Sequence, residues 1–179
     1  MNFEPVAGDF AGNDLKWAYL QAEVELYLRT GNYALLRDVR LRQAKFCEAE
    51  GEKRIALSYY CYVYYGDLNG FRSMDELLSK RYDDLTLWKS TARVDVGIVN
   101  KIFALCAECE IDTDELLYTF CQQTFIPRMY GCHLFTIQEC RDILLLARDG
   151  KIGLIDDRIS HAEACFRSQF TQPIQKYAV

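Results

Sequence analysis

The chain is predicted to be all-α, with seven or eight helices stacked as antiparallel hairpins or as an irregular bundle. Three observations predict this. Apolar residues recur at helical spacing along nearly its whole length, glycines stand where those stretches stop, and three capping pairs stand where others begin. No stretch shows the strict alternation and turn dipeptides of a β-hairpin.

The first helix is expected from Asn13, because Trp17, Leu20, Val24, Tyr27 and Leu28 fall on one face with Lys16, Glu23 and Glu25 off it. Thr30-Gly31-Asn32 closes it, the glycine taking the left-handed position after the last turn. A second helix is predicted over 33–50, stopped by Gly51, and a third over 52–65, ended by the run Gly66 to Gly70. Connections this short force neighbouring helices to run antiparallel. Ser73 with Glu76, Asp112 with Glu115 and Thr136 with Glu139 read as capping boxes. They open helices near 73–78, over 113–126 and over 137–149, with Ile111 and Phe135 placed to staple onto Leu116 and Cys140. An apolar helix over 94–109 lies between the first two, and a last helix over 152–170 precedes Pro173. Residues 79–91 have no clear period. They form the candidate joint of a single domain, 1–179, with halves 1–78 and 92–179.

Composition narrows the class. With 179 residues and half of them apolar, the chain can bury a sizeable core without a metal or disulfide staple. Acids outnumber bases by 26 to 21, which argues against nucleic-acid binding by bulk charge. The first residues lack the basic start and apolar run of a signal peptide, and no apolar run approaches membrane-spanning length. A cytoplasmic protein is therefore expected, with its eight cysteines reduced and mostly buried as small apolar side chains.

The third helix, GEKRIALSYYCYVYYGDLN, resembles the second helix of a tetratricopeptide repeat. Gly51, Ala56, Tyr60, Val63 and Asp67 stand at the matching offsets. Leu68 replaces the usual proline, Arg40 stands where that family tends to have tryptophan, and Gly31 and Gly51 are not separated by a full repeat. The resemblance implies stacked helical hairpins, a tetratricopeptide-like packing. The segment HLFTIQEC, residues 133–140, resembles uncharacterised prophage proteins of Gram-positive bacteria.

Candidate chemistry is sparse. Cys106 and Cys109 form a C-x-x-C, with Cys132-His133 downstream, but that motif falls late in an apolar helix and no second C-x-x-C completes a zinc set. No nucleophile elbow, zincin motif or phosphate-binding glycine loop is present, and the only histidines are His133 and His161. No catalytic residue, metal or cofactor is expected. The unusual feature is the run Tyr59, Tyr60, Tyr62, Tyr64, Tyr65, in which Tyr59 and Tyr62 point away from the face made by Leu57, Tyr60, Cys61 and Tyr64. Either the helix is sandwiched between two others, or Tyr59 and Tyr62 line a groove. The segment 29–54 carries seven bases, among them Arg37 and Arg40, as a solvated face or as a patch for an acidic partner.

The expected function is a non-catalytic helical module that binds a protein or peptide, with Tyr59, Tyr62, Arg37 and Arg40 as candidate contacts. The alternatives are an accessory nucleic-acid-associated protein using 29–54 and a small enzyme of unknown reaction. The stripe Ile155, Ile159, Ala162, Cys165 and Phe166 of the last helix is expected either to fold back on the 94–109 helix, the more common outcome, or to form a homodimer interface.

Overall fold

A computed structural model describes residues 14–69, 92–113, 115–116 and 135–171, and every regular element among them is helical. Among the described residues six helices are given bounds: α1 (Asp14–Thr30), α2 (Tyr33–Ala49), α3 (Lys53–Asn69), α4 (Val96–Glu108), α5 (Ile137–Arg148) and α6 (Ile152–Thr171). The helix expected near 73–78, the joint at 79–91 and most of the helix expected over 113–126 lie outside the described residues.

Local chemistry sets the boundaries. Gly31, Gly51 and Gly150 all have positive φ, as expected of residues that close a helix in the left-handed region. In each case the following amide reaches back to the last turn: Asn32 to the Tyr27 carbonyl, Glu52 to Cys47 and Lys151 to Leu146. The end of α4 makes the same bond, from Ile111 to the Cys106 carbonyl, with Glu110 in the glycine's place at φ 54°. Sequence offered no glycine there. Helix starts follow the caps: Thr136 and Glu139 form a complete capping box, and the Asp95 carboxylate accepts from the Gly97 and Ile98 amides to open α4. Asp112 accepts from the Glu115 amide at 3.1 Å, so half of the expected box there is present.

The end of α3 differs from expectation. Gly66 was expected to stop it, yet the helix runs on to Asn69. Two contacts account for the extra turn: Leu68 is fully buried, and the Asp67 carboxylate, almost fully buried, meets Arg37 of α2. Tertiary packing overrides the weak helix preference of glycine.

Cross-helix contacts give the topology. Trp17 meets Phe46 near one end of the α1–α2 pair, while Glu23 meets Arg42 further along, so the two run antiparallel. Glu48 meets Tyr60 and Arg37 meets Asp67, which makes α2 and α3 antiparallel. Lys53 pairs with Glu108 at one end of α3, and Arg93, just before α4, approaches Asp67 at the other, so α4 also runs against α3. Helix α3 thus lies between α2 and α4, and the Tyr64 hydroxyl donates to the Cys140 carbonyl of α5 at 2.6 Å. The outcome is a central helix buried along its length from Ala56 to Leu68. One continuous apolar cluster joins all six helices.

Helix α6 folds back on α5, with Ile155 buried, Ile159 and Ala162 half-buried, and Arg158 paired to Asp142. Its stripe was expected to form a dimer interface or to lie on the 94–109 helix. The first half of the stripe is instead committed within the chain, against α5, because a three-residue turn delivers α6 straight onto its predecessor. Cys165 is exposed, and the Phe166 side chain lies outside the described residues.

Candidate functional site

The four candidate contacts are all engaged inside the fold. Tyr59 and Tyr62, 2% and 1% exposed, lie in the core. The Arg40 guanidinium, itself buried, stacks 4.7 Å from the Tyr62 ring centre and 5.6 Å from that of Tyr59. Trp17 of α1 meets the Tyr59 ring edge-on at 5.9 Å, and Arg40 Nη1 donates to Gln43 Oε1, whose amide in turn reaches Gln21. A buried cation is costly unless its charge and donors find partners, and the two tyrosine faces and the Gln43 side-chain oxygen meet part of that need here. The groove reading of Tyr59 and Tyr62 is therefore corrected: α3 is sandwiched, and both rings hold Arg40 between α2 and α3. Burial pushes the Tyr59 phenol well above its ordinary range.

Arg37 is the second correction. Its Nε and Nη2 donate to the two carboxylate oxygens of Asp67 at 2.5 and 2.8 Å, and Nη2 also approaches Asp95 at 3.3 Å. The Asp67 hydrogen bonds hold the guanidinium above its usual range, against the opposing effect of burial. This fork ties α2 to the last turn of α3 and to the cap of α4, so it is a structural clasp. The rest of the basic segment is similarly engaged: Arg42 with Glu23 and Asp38, Lys53 with Glu108, and Arg54 with the Cys109 carbonyl. A phosphate-binding patch would need these charges free, and five of the seven bases are committed within the chain.

A third polar junction joins α2, α3 and α4. Glu48 accepts from Lys101 Nζ at 2.6 Å and from the Tyr60 hydroxyl at 2.8 Å. Lys101 in the first place, then Tyr60, hold the Glu48 carboxyl below its ordinary value of 4.5 despite partial burial. A depressed carboxyl contributes stability that is present above that value and lost as pH falls through the folded-state value. Glu48→Gln should therefore lose ~0.5 kcal/mol at neutral pH and flatten the acid limb of stability. Urea denaturation at pH 7 and at about pH 3 measures this, and an acid limb unchanged by the substitution contradicts it.

The cysteines divide by depth. Cys47, Cys61, Cys106 and Cys140 are free and buried, and burial pushes the Cys47 thiol up to about 12. Among the described residues no three His, Cys, Asp or Glu side chains converge on a point that could hold a metal ion. Cys132 and His133 lie outside the described residues.

The surface that sequence reasoning missed is on α1. Its inner face is Trp17, Leu20 and Val24, all buried, while Leu28, assigned to that face, is exposed. On the opposite side Leu15, Tyr19 and Leu26 are 79%, 75% and 53% exposed, with exposed Ala22 between them. Successive positions i, i+4, i+7 and i+11 fall within a narrow angular stripe. Helix α1 is thus apolar on two opposite faces, and one is uncovered among the described residues. The signal was in the sequence, as a second helical period out of phase with the first. No family, curated protein or solved structure matches the chain.

Proposed function

We propose that the chain is a non-catalytic helical interaction module whose contact surface is the outer face of α1. The observation that carries this reading is the exposure of Leu15, Tyr19 and Leu26 on one stripe of an outermost helix. Large side chains scattered singly over a surface need no explanation, but an aligned stripe two turns or more in length does. A polypeptide contact fits it best: a helical stripe with a tyrosine at its centre matches the face of another helix. The rigid Trp17–Tyr59–Arg40 packing beneath it holds α1 in place, so the stripe is presented without an ordering cost. In this reading Tyr59, Tyr62, Arg37 and Arg40 act within the fold, with Tyr59 meeting Trp17 of α1 from beneath, and do not touch a partner.

A photo-crosslinking residue placed at Tyr19 tests the reading. It should yield a polypeptide adduct, whereas the same residue at exposed Lys151, in the turn between α5 and α6, should not. Equal adduct yields from the two positions, or none from Tyr19, would overturn the assignment.

A further inference from the structure

We infer that the outer face of α1 docks against the same face of a second copy of this chain, with the two helices antiparallel about a two-fold axis. The inference rests on the reading of α1 as the contact surface and adds the identity of the partner. Two features of the stripe point to self-association. Its spacing is palindromic: from Leu15 the steps are four, three and four residues, the same read from either end. Turned end for end, Leu15 therefore meets Leu26 of the other copy, and Tyr19 meets Ala22, so a large residue stands opposite a small one at the centre. An isologous interface requires this kind of self-complementary patch.

The charges beside the stripe obey the same symmetry. In an antiparallel helix pair, each flank of one helix meets the same flank of the other. On one flank are Lys16 and Glu23; on the other are Asp14, Glu25 and Arg29. End-for-end docking brings Lys16 toward Glu23 of the second copy and Arg29 toward Asp14, each contact occurring twice by symmetry. Asp14, Lys16 and Arg29 are exposed and form no ion pair with another described residue. Glu23 already accepts from Arg42 of α2 and from the Tyr27 hydroxyl, so Lys16 of the second copy would share a paired carboxylate. A parallel pairing lacks this match, because it would set Lys16 against residues that precede α1. Only one helix face is involved, ~25 Å long, so the contact falls in the range of small, reversible interfaces.

The experiment is the solution mass of the full chain by sedimentation equilibrium, at about 5 and about 200 μM. The purified chain should approach twice its 20.8 kDa at the higher concentration. Leu26→Glu, at an exposed position, should stay monomeric with unchanged helicity. Arg29→Asp should weaken dimerisation by about 5- to 10-fold, since it removes a solvent-exposed ion pair that occurs twice. Arg29→Asp with Asp14→Arg should restore affinity to within about 3-fold, because the swapped pair re-forms. A monomer at the higher concentration overturns the inference, and so does a Leu26→Glu variant that keeps the full dimer mass. Failure of the double exchange to restore affinity overturns the antiparallel arrangement. A monomeric chain that still gives Tyr19 adducts with a different polypeptide refutes the dimer and leaves the interaction surface standing; a monomer with no adduct refutes both.

Discussion

Tyr62→Ala should cost ~4 kcal/mol of folding stability, because truncating a fully buried aromatic leaves both lost burial and a cavity. The ring also provides the closer of the two tyrosine faces over Arg40, so the substitution leaves a buried cation less well covered. A loss of that size is a large part of the 5–15 kcal/mol typical of a domain. Urea denaturation followed by far-ultraviolet circular dichroism measures it. A loss under ~1 kcal/mol would place Tyr62 on the surface and revive the groove. The same reasoning limits the use of this substitution in partner assays, where lost binding would report lost folding.

The second large effect is expected at Asp67. Its carboxylate is almost fully buried and receives both arms of the Arg37 fork, while its backbone carbonyl accepts from the Arg93 amide. Removing one partner of a buried pair leaves the other charge poorly compensated, so Asp67→Ala should cost ~3 kcal/mol. Asp95 remains 3.3 Å from Arg37 and keeps the loss at the lower end of that range. The double variant Asp67→Leu with Arg37→Met should be more stable than Asp67→Ala alone, because no charge is then left buried. Denaturation midpoints of the three chains decide this. A double variant less stable than Asp67→Ala would mean that the fork contributes net stability beyond its geometry.

Much of the helical architecture was legible because most of the helices announce themselves at two levels. At Thr136 the capping box, the apolar period after it and the glycine that follows all agree, and α5 begins and ends where they place it. Gly66 was misleading for a physical reason. A glycine near a helix end is a weak local signal, and here the burial of Leu68 and Asp67 against neighbouring helices outweighs it. The tyrosines of α3 were ambiguous for a similar reason. A helix enclosed on all sides has no polar face, so periodicity cannot say which ring meets which neighbour. Arg40 was the clue that went unused, since an arginine opposite a tyrosine-rich helix can be buried if the rings cover it. The basic segment lost its apparent surface because its partners are distant in sequence: Asp67 and Asp95 for Arg37, Glu23 for Arg42, Glu108 for Lys53. Spacing along the chain reveals only the i, i+4 pair of Arg42 with Asp38.

The outer stripe of α1 had the opposite problem. Leu15, Tyr19, Ala22 and Leu26 were readable as a helical face, but Trp17, Leu20 and Val24 had already explained why the segment is a helix. Only the position of α1 at the outside of the bundle shows that the second face has no neighbour among the described residues. The fold thus separates a tyrosine-rich core from a tyrosine-bearing surface. Nitration of the native chain by tetranitromethane at low micromolar concentration, with peptide mapping, tests it most directly. Tyr19 should be modified rapidly and Tyr59 and Tyr62 not at all while helicity is intact. Modification of Tyr59 or Tyr62 at the rate of Tyr19 in the folded chain would contradict that separation.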